Sequence, residues 1–241
     1  MNRTITKLNN IDHAELTVET DYSKELGDGV MTCLAYTAEM RSLQSTFPIL
    51  FQQIEGQSHP LPVALMGLEQ GENLFLQNGL WDSPIIPMMM QKGPFLIAKE
   101  AGLQGDVQTV IAIDESHPKA RSNGGERVFS QTGGYTSYLE NIIKVLERIE
   151  ASHPHTLAFA AHLCELELLT PLEFRLTLDN GGEHLLTGLS GIDEDRLATL
   201  TSDQLLLLHS HQFLLPLFMV VASQSQMARL ISLKNQTASE R

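Results

Sequence analysis

Two adjacent acidic residues stand where an apolar stretch ends. Asp114 and Glu115 directly follow residues 110–113, VIAI, and precede a polar loop. Carboxylates at the end of a strand can act as a general acid and base or bind a cation. The same pattern also fits an aspartate that accepts hydrogen bonds within the next turn, beside a glutamate in solvent. The sequence leaves both interpretations open and makes Asp114 and Glu115 candidate binding residues.

A second candidate region is the turn-rich stretch MGLEQGENLFLQNGLW at residues 66–81. Its glycines and asparagines indicate tight turns. The pair Asn78-Gly79 between two extended runs is typical of a β-hairpin, because both central residues need a positive φ. We therefore predict a three-stranded antiparallel meander here, and turn formation explains Gly71 and Asn73.

The same stretch contains two residues that turn formation does not explain, Glu72 and Trp81, the chain's only tryptophan. Trp81 could line a groove with Phe75 and residues 88–90, since tryptophan and methionine are common at binding surfaces. Packing in a sheet core under a short helix is the alternative. The candidate binding residues are Gly71, Glu72, Asn73, Trp81, Asp114 and Glu115.

The sequence lacks the common motifs of nucleophilic catalysis and phosphate binding. It has no Gly-x-Ser-x-Gly elbow, and no Gly-Lys-Ser/Thr follows Gly67 and Gly71. Cys33 and Cys164 lie in apolar surroundings and fit buried thiols better than a nucleophile or a disulfide. We predict no cofactor, and the catalytic residues of any reaction stay unknown.

The nine histidines raise the question of a metal site. The closest pairs are His153 with His155 and His209 with His211, and on a helix side chains two residues apart point about 200° apart. His155 and His162 could share a helix face, but no third ligand follows at a typical metal spacing. We therefore predict surface or capping histidines and no metal site.

The order of the apolar patterns predicts the fold class. Extended runs with turn signals dominate before residue 130, and helical spacing dominates afterwards. The prediction is an α+β protein with an antiparallel sheet built mainly from the N-terminal half. This sheet packs against helices of the C-terminal half, with a late β-hairpin around residues 173–188. We predict a partly ordered arm at residues 1–30 and a single α+β domain at residues 31–241.

Two helix boundaries in the C-terminal half carry specific signals. Apolar residues at helical spacing predict a helix at residues 136–150, and His153-Pro154 is expected to end it before a second helix at residues 156–169. The sequence Thr201-Ser202-Asp203 is expected to start a later helix that runs to about His211.

Charge and hydropathy limit the partners. The chain carries 29 acids against 16 bases, a net charge of −13, and its basic residues are scattered, so we favour a protein or peptide partner over nucleic acid. The longest apolar run, FLLPLFMVV at residues 213–221, is well short of the about 20 residues that span a membrane. We expect a cytoplasmic protein without an integral membrane segment, and its oligomeric state stays open.

Several stretches together match a family pattern. PVALMGLEQGENLF at residues 62–75 is followed by LW, IIP and GPF, and IAIDE stands at residues 111–115. His13, TFPILF at residues 46–51 and LTGLSGIDEDRLATL ending at residue 200 fit the same pattern. On these residues the chain resembles, over nearly its whole length, the SapC family, which is named for a gene linked to bacterial surface-layer proteins.

The resemblance implies an accessory role and brings no established catalytic residues. Members of the family are bacterial proteins that often occur near outer-membrane uptake receptors, tryptophan-halogenase-like flavoproteins and cupin-type hydroxylases. This association implies a part in nutrient uptake, peptide modification or surface-layer-linked processes. Members commonly carry arginine before the Pro-Phe pair, where Gln91-Lys92-Gly93 stand here, and this difference weakens an anion-binding role at that edge.

Three functional hypotheses follow. The favoured one is a non-catalytic binding or accessory protein whose surface includes the turn at residues 71–73, Trp81 and the Asp114-Glu115 strand end. The alternative is a carboxylate-based enzyme, with or without a divalent cation, and a raised carboxylate pKa in a cleft would favour it. A structural component of a cell-surface assembly is the third and would require export.

Overall fold

The computed structural model describes residues 3–77, 80–101, 107–121, 124–177, 179 and 181–239. The chain divides into two compact units. Unit 1 comprises Met1–Gly29, Leu76–Asp82 and Met88–Glu150, and unit 2 comprises Val30–Phe75, Ser83–Pro87 and Ala151–Arg241. The prediction of an N-terminal arm followed by a single domain stays a prediction.

The described secondary structure alternates short strands and helices before a long helix and a late strand pair. The strands are β1 (Ile5–Lys7), β2 (Thr17–Val18), β3 (Thr32–Leu34), β4 (Ile49–Gln52), β5 (Leu61–Leu65), β6 (Leu76–Gln77), β7 (Leu80–Trp81), β8 (Phe95–Ala101), β9 (Val107–Asp114), β10 (Ala120–Arg121), β11 (Glu126–Arg127), β12 (Leu169–Thr177) and β13 (Glu183–Ile192). The α-helices are α1 (Met40–Leu43), α2 (Met88–Gln91), α3 (Ser137–Glu165), α4 (Glu194–Ala198), α5 (Ser202–Ser210), α6 (Leu214–Ser223) and α7 (Met227–Ser239).

Unit 1 contains two small three-stranded antiparallel sheets, ordered β1-β9-β8 and β10-β2-β11, and the hairpin β6-β7. Its core lies between the strands and the first turns of α3, where Phe95, Ile113 and Leu139 are fully buried. Gly125 is required at the β2-β11 contact, because a Cβ there would lie 2.3 Å from the carbonyl oxygen of Val18.

Unit 2 is built on a five-stranded antiparallel sheet with the order β12-β13-β4-β5-β3. Strand β5, which lies between β4 and β3, is buried along its whole length, and this burial explains its continuous apolar sequence LPVAL. The late hairpin β12-β13 joins the sheet through β13, where Leu189 and Ser190 pair with Gln52 and Phe51 of β4.

These sheets confirm the predicted α+β class with its late hairpin. The predicted meander at residues 66–81 is wrong in its pairing. β5 pairs with β3 and β4, whereas β6 and β7 pair only with each other among the described strands. The Asn78-Gly79 pair predicted as the hairpin turn lies outside the described residues.

The predicted helix break at Pro154 is also wrong, because the 29-residue helix α3 runs through this proline. An internal proline removes one backbone hydrogen bond and costs about 3 kcal/mol. Beyond it, Phe159 and Leu163 are fully buried in unit 2. Burial of two such side chains offsets that cost, at about 1.5–3 kcal/mol each.

Helix α5 starts at the residues where the sequence predicts a helix start, and Thr201 caps it. The hydroxyl of Thr201 accepts a hydrogen bond from the backbone N–H of Gln204, whose side chain accepts one from Thr201 N in return. This reciprocal arrangement satisfies two donors that the first helical turn leaves without intrahelical partners.

The last helices form one continuous helical run. Among the described residues, Leu214–Thr237 is long and apolar enough to cross a membrane by length and composition, with a mean hydropathy of 1.3. The run also contributes buried side chains to unit 2, including Leu217, Val220 and Leu230. The expectation that the chain has no integral membrane segment stays a prediction.

Candidate functional site

Asp114 ends β9 and organises the turn that follows it. Its carboxylate accepts hydrogen bonds from the backbone N–H of Ser116 at 3.1 Å and from the Ser116 hydroxyl. Arg3 Nε lies 3.9 Å from the second carboxylate oxygen. The Ser116 hydrogen bonds, with a smaller contribution from Arg3, lower the pKa of Asp114.

Glu115 points to the other side of the same strand end and binds two side chains of the N-terminal segment. Its Oε1 accepts a hydrogen bond from the Thr6 hydroxyl at 2.6 Å and lies 3.2 Å from His13 Nε2. The other ring nitrogen of His13 lies 3.2 Å from the carbonyl oxygen of Asn9. The bonds from Thr6 and then His13 lower the pKa of Glu115, whose side chain stays 44% exposed.

This geometry favours ionised carboxylates at the end of β9. A general acid or base near neutral pH needs a raised carboxyl pKa, and the pKa values of Asp114 and Glu115 are both lowered. The two groups are therefore suited to accept hydrogen bonds or to face a cation. They do not provide the raised pKa that would favour the enzymatic alternative.

Trp81 lies in unit 1 and contacts an aromatic ring of the N-terminal segment. The Trp81 ring packs edge-on against Tyr22, with 5.4 Å between the ring centroids. The ammonium of Lys119 lies 3.9 Å from the centroid of the Tyr22 ring. Such a cation–π contact is worth about 2 kcal/mol when it is desolvated.

The Lys119 ammonium also forms a buried ion pair with Asp28, at 3.0 Å, with side-chain exposures of only 4% and 5%. The backbone N–H of Ser23 donates a further hydrogen bond of 3.0 Å to Asp28. Burial raises the pKa of Asp28 and lowers that of Lys119, while the ion pair opposes both shifts. Burial also raises the pKa of Tyr22 to about 12.

The turn after β9 connects these two clusters within unit 1. The backbone N–H of His117 donates to the carbonyl oxygen of Asp114 at 3.0 Å, and Lys119 N donates to His117 Nδ1 at 3.2 Å. The hydrogen bonds of Asp114 thus fix the chain reversal that places Lys119 against the Tyr22 ring. Tyr22 also contacts Trp81. Three predicted site residues, Trp81, Asp114 and Glu115, therefore belong to one network of contacts.

The other three predicted site residues, Gly71, Glu72 and Asn73, lie in unit 2. Glu72 Oε2 accepts a hydrogen bond of 2.9 Å from the backbone N–H of Leu68. Its Oε1 accepts one of 2.6 Å from Lys234 of α7, which also binds Glu69 at 2.8 Å. Glu72 therefore ties the turn to the C-terminal helix.

Lys234 stays charged in this setting. Burial opposes its charged form, but the hydrogen bonds from Lys234 to Glu69 and Glu72 outweigh burial and raise the Lys234 pKa. The ammonium thus holds two carboxylates that lie close together in the turn.

The backbone of the same turn explains its glycines and asparagine. A Cβ at Gly67 would lie 2.5 Å from the carbonyl oxygen of Glu72, and Gly71 has a φ of +77°. Asn73 is buried, and its side-chain oxygen accepts a 3.0 Å hydrogen bond from Phe75 N. The Phe75 ring packs against Phe47 with 4.6 Å between centroids, so it belongs to the core of unit 2.

The histidines of unit 2 make local hydrogen bonds and ring contacts. His155 Nδ1 lies 2.8 Å from the Thr37 hydroxyl, and its Nε2 lies 3.1 Å from the carbonyl oxygen of His211. The rings of His162 and His211 have centroids 4.9 Å apart. Over the described residues, no three histidine, cysteine or acidic side chains are placed together to hold a metal ion.

Sequence reasoning missed Tyr22, Asp28 and Lys119. They stand far apart in polar segments, and no local pattern pairs them. It also missed a groove of about 400 Å³ in unit 1 that runs beside β9. The groove is lined by Lys7, Leu8, Asn9, Asn10, Thr109, Val110, Ile111, Phe129 and Tyr135.

Comparison with known proteins gives one finding. No curated protein and no solved structure is significantly similar to the chain. The model of the SapC family matches residues 8–230, a span that includes β9, the Trp81 hairpin and the turn that binds Lys234. The resemblance seen in the sequence is thereby confirmed, and the chain belongs to the SapC family.

Proposed function

We propose that this protein is a non-catalytic binding or accessory protein that recognises a protein or peptide partner. The observation that carries the proposal is the contact network of unit 1. There the Trp81 ring packs against Tyr22, and Tyr22 contacts Lys119 of the buried Lys119–Asp28 pair. The turn after β9 that contains Lys119 begins at the ionised Glu115. A side chain held in this way loses little conformational freedom on binding, which favours affinity.

The chemistry of the surface supports a polypeptide partner. Tryptophan is enriched among the residues that dominate protein interfaces. Glu115 offers a half-exposed anionic acceptor in the same unit. The net charge of −13 disfavours nucleic acid.

The family supports a proposal for the role of such a binding protein. Members occur near uptake receptors, flavoproteins and hydroxylases, so we place the partner in nutrient uptake, peptide modification or a surface-layer-linked process. We place the protein itself in the cytoplasm of a bacterium.

The test is partner capture followed by affinity measurement. The tagged full chain is crosslinked chemically to its partner in cells, and mass spectrometry identifies the captured protein. Binding of the purified partner is then titrated with the wild type, Trp81→Ala and Leu80→Ala. Leu80 is the matched control, because it neighbours Trp81 on β7 but points to the opposite face.

We expect Trp81→Ala to weaken binding by about 10-fold or more, as for a hot-spot residue, and Leu80→Ala to change it little. Glu115→Gln should weaken binding less, because the side chain keeps its shape and one acceptor oxygen. Unchanged affinity for the folded Trp81→Ala protein would contradict the proposed surface.

A further inference from the structure

The groove beside β9 has an open strand edge along one wall. β1 covers only the C-terminal end of β9, where Ile5, Thr6 and Lys7 pair with residues 112–114. The N-terminal segment then makes one more contact, from Leu8 N to the carbonyl oxygen of Ile111 at 2.9 Å. On this side of β9, no strand in the described part of the chain pairs with residues 107–110.

The hydrogen bonds of β9 show which backbone groups face the groove. The carbonyl oxygen of Ile111 accepts a hydrogen bond from the backbone N–H of Leu8, and the backbone N–H of Glu115 donates to the carbonyl oxygen of Thr4 at 2.9 Å. The backbone N–H and C=O groups of odd-numbered residues therefore face β1. The backbone N–H of Asp114, an even-numbered residue, donates to the carbonyl oxygen of Pro94 on the opposite side of β9, next to β8. Because the direction alternates along a strand, the N–H and C=O of Thr109 point to the open side.

The lining of the groove is apolar at its floor and poor in charge. Leu8, Ile111 and Phe129 belong to the core cluster of unit 1 or pack against it. Tyr135, which is 57% exposed, contacts Phe129 with 5.9 Å between ring centroids. The lining contains one base, Lys7, and no acid, although the chain has 29 acids.

We propose that this groove binds an extended segment of a partner protein by strand addition to β9. The segment continues the line of β1, pairs with the backbone of Thr109, and places an apolar side chain on the floor of the groove beside Tyr135. The segment is largely uncharged, because the lining has no acid and its one base, Lys7, already contacts Glu100. This inference rests on the proposed binding function and adds the conformation and chemistry of the partner.

The experiment uses a display library of random peptides of about 12 residues, selected on the full chain. Affinities of the selected peptides are then measured for the wild type, Thr109→Pro, Thr109→Val and Tyr135→Ala. Proline removes the N–H that faces the groove and is tolerated at a strand edge where that N–H is not needed for the sheet. Thr109→Val is the matched control, since it keeps the N–H.

We expect peptides with alternating apolar residues and no excess of lysine or arginine. Thr109→Pro and Tyr135→Ala should each weaken them by about 10-fold or more, the loss expected when a hydrogen bond or an aromatic contact at the site is removed. Thr109→Val should bind like the wild type.

A second measurement uses unmodified protein and does not depend on the folding of a variant. Selected peptides are N-methylated at one position at a time. Strand addition predicts that methylation weakens binding at every second position, because only alternate peptide N–H groups face β9. Amide hydrogen exchange should also slow at Thr109 when the peptide binds.

Three results would overturn the inference: full affinity for folded Thr109→Pro, methylation effects without alternation, or a library without binders that protect the Thr109 amide. The proposed function is tested separately by Trp81→Ala and the captured partner. A partner that depends on Trp81 while Thr109→Pro has no effect would leave the binding function standing and remove strand addition.

Discussion

Lys119→Met should strongly destabilise unit 1. The substitution keeps the length and much of the apolar volume of the side chain but removes its charge. The buried carboxylate of Asp28 would then keep its hydrogen bond from the Ser23 backbone but lose the Lys119 ammonium. Removing one partner of a buried ion pair costs about 3–5 kcal/mol, because the other charge stays uncompensated.

The assay has a natural local reporter. Trp81 is the only tryptophan, and its ring lies 5.4 Å from that of Tyr22, which contacts Lys119. Tryptophan fluorescence therefore follows unfolding around this ion pair during thermal denaturation. For a chain of this length each kcal/mol lowers Tm by about 2–4 °C, so we expect a decrease of roughly 6–20 °C for Lys119→Met.

A surface ion pair of the same unit supplies the control. Lys7 contacts Glu100, and their side chains are 55% and 49% exposed. Because solvent screens such pairs, Lys7→Met should cost less than about 1 kcal/mol. The double variant Asp28→Asn with Lys119→Met should lose less stability than the two single variants added together, since it leaves no unpaired charge. If Lys119→Met is no more destabilising than Lys7→Met, the reasoning from burial is refuted.

Three further predictions concern the other contacts. Gly67→Ala should destabilise by about 1–3 kcal/mol in urea denaturation, because its methyl group would overlap the Glu72 carbonyl oxygen. Lys234 has a raised pKa, so its contribution to the free energy of unfolding is complete below the unfolded pKa of about 10.4. This contribution is lost as the pH rises through the higher folded pKa, and Lys234→Met should lack this loss of stability at alkaline pH. Asp114 has a lowered pKa, so its stabilisation is present above the unfolded value of about 3.9 and is lost as the pH falls through the lower folded value. Ser116→Ala should move the NMR-measured pKa of Asp114 upwards, and an unchanged titration would contradict the assigned cause.

Local sequence patterns predicted the features that depend on neighbouring residues. Thr201 and Gln204 mark the start of α5 because their capping bonds span three positions. The late hairpin was predictable in the same way, since its turn glycines stand between two extended runs. The α+β class follows from such elements in their order along the chain.

Patterns over short windows could not predict contacts between distant segments. Asp28 and Lys119 look like ordinary loop residues, and nothing near either one indicates burial. The bond from Lys234 to Glu72 links residues 162 positions apart. The assignment of β5 to a sheet with β3 and β4 also depends on distant pairing, and the meander prediction failed for that reason.

The turn at residues 67–75 shows that residues that match the family pattern need not be binding residues. Its family-matching residues have structural tasks: Gly67 leaves space for the Glu72 carbonyl, Glu72 binds Leu68 N and Lys234, and Phe75 fills the core. A ligand at Glu72 would have to compete with an ammonium 2.6 Å away. Glu115 also accepts bonds from Thr6 and His13, but its side chain stays 44% exposed, and the edge of β9 at Thr109 faces a groove. Substitutions at these positions should therefore change binding before they change stability, whereas Glu72→Gln should do the reverse.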